Sequence, residues 1–258
     1  EIVMKKKKRQ IRAKKVSNHK KIWLYLLTGL LVLIIGIFAA NKVYQHYERQ
    51  EVETNIGKIN PKKSVQQENK RNKALQQKVK QHKIAPQSPS FDFSKVTPIN
   101  YADSQKAQKY ASHYTHTGMI KIPAIGVRSA ITEGMSNYAL YSSVGTAKPN
   151  QTMGTDNYAL GGHNNYDYGR NCYLFSTLSA AKVGQLTYLT DFKKVYIYRI
   201  YDRQVISASQ SEIIQDNQVT DKQPIVTLFT CWSPNHEGST NKRLMIRGQL
   251  ESKNKNIN

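Results

Sequence analysis

At 258 residues, 39% apolar and 22% charged, the chain is long and apolar enough to bury a core over at least part of its length. Its net charge of +22 is uneven: residues 1–90 carry 21 Lys/Arg against 5 Asp/Glu, and residues 91–258 carry 18 against 12. That asymmetry argues against a uniformly basic nucleic-acid-binding domain, and two cysteines do not make a disulfide scaffold.

In chain order, Met4 ahead of Lys5–Lys8 is expected to be the natural start. Residues 1–21 form a basic tail with ten Lys/Arg. Residues 22–40, IWLYLLTGLLVLIIGIFAA, hold no charge. As a helix they would span about 28 Å, near the roughly 30 Å hydrocarbon core of a bilayer. A cleaved signal peptide is the alternative, but the run exceeds the about 7–15 apolar residues such peptides use. The denser basic cluster before the span places residues 1–21 in the cytoplasm and the rest outside, in a single-pass membrane protein. Residues 41–90 are polar and rich in Gln and Lys, and read as a stalk, with helix expected over 64–82.

From residue 91 the pattern changes to short β-rich runs between Gly, Pro, Asn and Asp clusters. Strands are expected at 118–122, 125–131, 157–163, 185–190, 194–201, 203–209, 224–231 and 243–250, a mainly β sandwich or barrel. A short helix is expected over 173–182 and a helical turn over 136–141.

One apolar strand, 224–231, ends TLFTC on Cys231. A cysteine nucleophile works as the thiolate, so it needs a base or a cation beside it. Among seven histidines, His163 ends a strand after Gly161-Gly162, where the missing side chains leave room for another chain to approach. His236, in the loop after Cys231, is the weaker candidate, because a loop positions a base poorly. Arg243 opens the next strand, so a hairpin would return it beside Cys231, where it could stabilise a developing oxyanion. Arg247 lies four residues deeper on the same face and reads as a surface charge. No C-x-x-C or H-E-x-x-H metal pattern and no phosphate-binding G-x-G-x-x-G is present.

These residues resemble the sortases, cysteine transpeptidases of Gram-positive bacteria. The resemblance rests on T-L-x-T-C, a preceding strand ending Gly-His, and an arginine opening the strand after the cysteine. Gly118-Met119-Ile120-Lys121-Ile122-Pro123-Ala124-Ile125 is similar to the family's first strand, G-x-I-x-I-P-x-I, and the likeness runs over about 118–250. It implies an eight-stranded sortase-type β-barrel with short helices over 91–258. It further implies that Cys231 attacks the Thr–Gly bond of an L-P-x-T-G signal on a secreted protein, and that an amino group of a peptidoglycan precursor (lipid II) resolves the thioacyl enzyme. His163 would be the acid/base, Arg243 would position substrate and stabilise the oxyanion, and Thr230, Gly161, Gly162 and Trp232 would line the substrate site. The active form implied is a minor thiolate–imidazolium state.

The type resembled is class A: an N-terminal anchor, no Asp-Pro-aromatic lid in 91–117, and Phe229 where class B carries Ser. Only Asp156 is acidic in 141–156, so no calcium site and no cofactor are expected. Gly161 stands where alanine is common, which would widen the groove. Cys172 lies outside the family pattern and reads as an inert thiol or a redox partner of Cys231. A sortase of another class, a hydrolase with the same site, a membrane-tethered wall-binding module and an L,D-transpeptidase remain the rival readings.

Overall fold

A computed structural model describes Met4 and residues 21–47, 65–81, 83, 88–111, 113–165, 174–219, 223–234 and 240–255. The chain divides into two units, Glu1–Glu48 and Arg49–Asn258. The first contains one helix, α1 (Lys21–Tyr47), long and apolar enough to cross a membrane. Its side chains are exposed throughout, apolar on every side.

The second unit is a closed barrel of eight strands in the order β1-β2-β3-β4-β7-β8-β6-β5. The strands are β1 (His116–Ile122), β2 (Val127–Thr132), β3 (Ser143–Thr146), β4 (Asn157–Gly161), β5 (Leu186–Thr190), β6 (Lys194–Ser207), β7 (Ile225–Cys231) and β8 (Lys242–Lys255). Closure leaves no free edge for another chain to pair with. Most neighbours are antiparallel, but β2–β3 and β4–β7 run parallel. The parallel β4–β7 pair matters most for function, because it brings the ends of two distant strands to the same rim.

Side chains alternate across each strand. On one face Ile120, Ile131, Leu160, Val226, Leu228 and Ile246 fill the barrel. On the other face of β4, β7 and β8, Ala159, Phe229 and Met245 form a second apolar cluster with Met135, Ile213 and Ile214 from the loops. The barrel wall here is therefore covered on both sides, and the outer layer lies on the Cys231 side of β7.

Among the described residues of the second unit, two α-helices precede the barrel, α2 (Val65–Lys80) and α3 (Tyr101–Ala111). Glu68 in the first turn of α2 and Lys78 and Lys80 in the last suit its dipole. The helix is not a free spacer. Glu68, Asn72 and Leu75 are buried. The Glu68 carboxylate meets His116 Nδ1 at 2.6 Å, and Arg71 stands 4.0 Å from it. Asn72 donates to the His116 carbonyl at 2.7 Å and accepts from its N–H at 3.2 Å. Arg71 donates to the carbonyls of Ala111 and Tyr114. A carboxylate so buried is tolerable only because the Arg71 guanidinium and the His116 ring stand beside it. Asn72→Ala is expected to remove both side-chain bonds to the His116 backbone and cost about 1–3 kcal/mol. Thermal melting of the full chain should fall by several degrees; an unchanged Tm would mean that α2 adds nothing to the fold.

Other elements differ from expectation for local reasons. The runs 194–201 and 203–209 form one strand, β6, whose pairing with β8 slips between Ile200 and Asp202. The eighth strand is instead β3, four residues long, too short to carry a period. The helix expected over 173–182 is a turn followed by a single 3-10 turn at Leu178–Ala180, and residue 173 lies outside the described residues. The turn expected over 136–141 is the 3-10 turn Ala139–Tyr141. Helix α3 was not expected. Asn100 caps it, accepting from the Asp103 N–H at 2.8 Å while donating to the Asp103 carboxylate.

Candidate active site

Strand β7 owes its path to β-branched and aromatic residues, Ile225 to Thr230, all buried. Cys231 ends it half-buried, as a free thiol. In the antiparallel β7–β8 ladder Cys231 pairs directly with Arg243. In the parallel β4–β7 ladder Gly161 pairs with Phe229. The Gly162 N–H then donates to the Phe229 carbonyl at 3.2 Å, so extending the register two residues brings His163 level with Cys231. Neighbouring strands lie about 4.8 Å apart. One cysteine, one histidine and one arginine from three adjacent strands thus meet at one rim.

His163 is held from several sides. Its carbonyl accepts from the Phe175 N–H at 3.1 Å, and the Tyr141 ring approaches its imidazole edge-on at 5.9 Å. Next along the chain, Asn164 Nδ2 donates to the Cys231 carbonyl at 3.3 Å. Only 7% of His163 is exposed, and its Nε2 has no hydrogen-bond partner among the described residues. Burial disfavours the imidazolium and lowers the pKa to about 4. At neutral pH the ring is therefore neutral, able to take a proton.

Arg243 is half-buried, and its Nη1 donates to the carbonyls of Thr240 and Lys242, both at 2.9 Å. No carboxylate pairs with it among the described residues. Its charge is aimed by backbone, not neutralised. Arg247, read as a surface charge, is half-buried and donates to Gln218 Oε1 at 2.7 Å.

The four residues expected to line the substrate site divide by face. Thr230 is buried on the face opposite Cys231, and its hydroxyl donates to the Gly162 carbonyl at 2.7 Å. It ties β7 to the strand end carrying His163. Gly162 also faces inward: a Cβ there would strike Val144 and Phe175. Gly161 faces the Cys231 side, but the groove is not widened by it, because a Cβ would strike Met135 and Phe229, which already occupy the space. Trp232 packs against the inner core cluster, with the Arg203 guanidinium 5.7 Å from its ring centre. Its ring thus serves packing on the β6 side, away from the Cys231 face.

Cys172 and His236 lie outside the described residues. Among the described residues, no three His, Cys, Asp or Glu side chains converge to hold a metal ion. Tyr141 and Asn164 were missed from the sequence. Asn164, immediately after His163, was the readable signal; Tyr141 reaches the site only through the fold.

A sequence model of the sortase domain matches residues 120–251. Sortase A of Streptococcus agalactiae serotype III is 35% identical over 164 residues, 63% of this chain and 64% of that protein. Sortase A of Listeria monocytogenes serovar 1/2a is 28% identical over 166 residues, 64% of this chain and 70% of that one. This chain therefore spans just under two thirds of the streptococcal relative. The crystal structure of Listeria monocytogenes sortase A is 29% identical, covers 55% of this chain and 91% of its own, and superposes with a TM-score of 0.49.

Proposed function

The chain belongs to the sortase family, and on that premise we propose that it is a membrane-anchored cysteine transpeptidase of the class A type, acting on secreted proteins that carry an L-P-x-T-G signal. The observation that carries this reading is the register: Arg243 pairs with Cys231 across one side of β7, and Gly162–His163 follows the bonded partner of Phe229 on the other. Helix α1 would anchor the chain, with residues 1–21 cytoplasmic and the barrel outside. Residues 41–90 would join anchor to barrel, with α2 docked at the barrel end.

The reaction follows from the groups present. The Cys231 thiol passes its proton to neutral His163, and the thiolate attacks the threonine carbonyl carbon. Arg243 donates hydrogen bonds to the oxyanion that forms. The C–N bond to glycine breaks, and His163 returns its proton to the leaving amine, leaving a Cys231 thioester. An incoming amine, on a peptidoglycan precursor such as lipid II, attacks the thioester and loses its proton to His163. The new amide leaves and the thiol is restored. A neutral imidazole at rest fits a productive ion pair that is only a minor population.

Arg243→Ala is expected to lower kcat/KM by roughly 10²–10³, the usual loss of one oxyanion donor. Steady-state kinetics check it. Tm should not move, because among the described residues the side chain bonds only to its own loop. Arg243→Lys should recover little, since one ammonium cannot hold the forked geometry.

The proposal itself is tested by incubating the protein with a labelled L-P-x-T-G peptide with and without triglycine. The expected product with the amine is the peptide cut after threonine and joined to triglycine. Release of the free acid alone, at a rate the amine does not change, would mean hydrolysis and overturn the transpeptidase reading.

A further inference from the structure

Residues 88–96 precede the stretch matched to the sortase domain, yet they are built into the outer face of the barrel near Cys231. The Ser90 carbonyl accepts from the Met135 N–H at 2.6 Å. Pro89 and Ser90 lie against Gly134, whose positive φ of 78° and missing Cβ allow the close approach. Asp92 caps a single 3-10 turn, Phe93–Lys95, by accepting from the Ser94 N–H at 3.1 Å. Asn137 clamps the far end, donating to the Lys95 carbonyl at 2.8 Å and accepting from the Thr97 N–H at 2.9 Å. Val96 packs on the Met135 and Phe229 cluster.

None of these bonds involves the Phe93 ring. It is 40% exposed, and its centre lies 6.1 Å from that of Phe229 at a tilt of 54°. Phe229 shares the Cys231 face of β7 and stands two residues before it, about 7 Å along the strand. The segment is thus fixed at both ends, and it presents a half-open aromatic face against Phe229, on the Cys231 side of β7.

We propose that Phe93 is a specificity-determining residue whose ring, with Phe229, forms an aromatic wall for the leucine–proline end of the sorting peptide. The inference rests on the transpeptidase reading above. An extended peptide advances about 3.3 Å per residue. With its threonine carbonyl at Cys231 and its chain running back along β7, the proline two residues upstream comes level with Phe229. Phe229 is itself buried, so apolar residues there would cover the Phe93 surface that is now open to water.

The test uses the full chain and steady-state kinetics on L-P-x-T-G peptide. Phe93→Ala is expected to raise KM roughly tenfold with kcat within about twofold, the pattern of lost binding. Phe93→Tyr should keep the wild-type KM. With a peptide bearing alanine for proline, wild-type KM rises and Phe93→Ala adds little, because the contact is already missing. An unchanged KM in Phe93→Ala overturns the proposal. So does a lowered KM, which would make the segment an obstruction, and so does an equal loss on both peptides, which would make Phe93 merely structural. If the wild-type protein cleaves no L-P-x-T-G peptide, the functional reading fails first and this inference falls with it.

Discussion

Cys231→Ala is expected to abolish detectable cleavage of L-P-x-T-G peptide, lowering turnover by at least about 10³. Cys231 sits half-buried at a strand end, outside both apolar clusters that carry β7. The same substitution should therefore leave Tm within about 2 °C of wild type. Loss of activity with an intact melt separates chemistry from folding. Residual turnover above a few per cent would mean that another group supplies the nucleophile. Cys172, the other cysteine of the chain, would be the first to test, by Cys172→Ala.

His163→Asn is expected to cost roughly 10²–10⁴ in kcat/KM, the usual contribution of a general acid/base. It should also change the pH dependence of stability. The folded imidazole has its pKa lowered to about 4 by burial, while the unfolded chain takes up a proton near pH 6.5. Between those values the unfolded state binds more protons, so folded stability falls as pH drops from about 6.5 to about 4. The full effect is roughly 3 kcal/mol at most, tempered by the small part of the ring that water reaches. Denaturant melts at pH 7.5 and pH 4.5 should show wild type losing more stability than the asparagine variant. Equal losses would mean that His163 is not held neutral by its surroundings.

The parts of this protein that follow a period were readable from sequence. β7 ends on Cys231 because a buried, largely β-branched run ends there, and Arg243 returns because a hairpin must return it. The alternation rule also carried information that the expected substrate-binding set ignored. Thr230 is one residue out of phase with Cys231, so its inward direction and its bond to Gly162 were implicit in the strand period. Trp232 is out of phase in the same way.

What could not be read came from contacts between distant segments. Residues 65–80 look like a solvated helix by composition, because Gln and Lys dominate. Burial of Glu68 depends on His116, 48 residues away, and no local pattern announces such a pair. The groove side of the site was similarly hidden. Met135 and Phe93 arrive from loops and from the segment ahead of the barrel, with no periodicity to mark them. The cap of α3 was local, however: Asn100 with Asp103 three residues on is a readable start signal, outweighed by the polar composition around it.

In the proposed mechanism Cys231 carries the acyl group between donor and acceptor. Intact-mass analysis of the full chain, quenched in acid during turnover of L-P-x-T-G peptide without amine, tests it directly. The expected result is a mass gain equal to the peptide's acyl portion up to threonine, mapped by digestion to Cys231 and lost on adding triglycine. Turnover with no adduct, or with the adduct on any other residue, would contradict it.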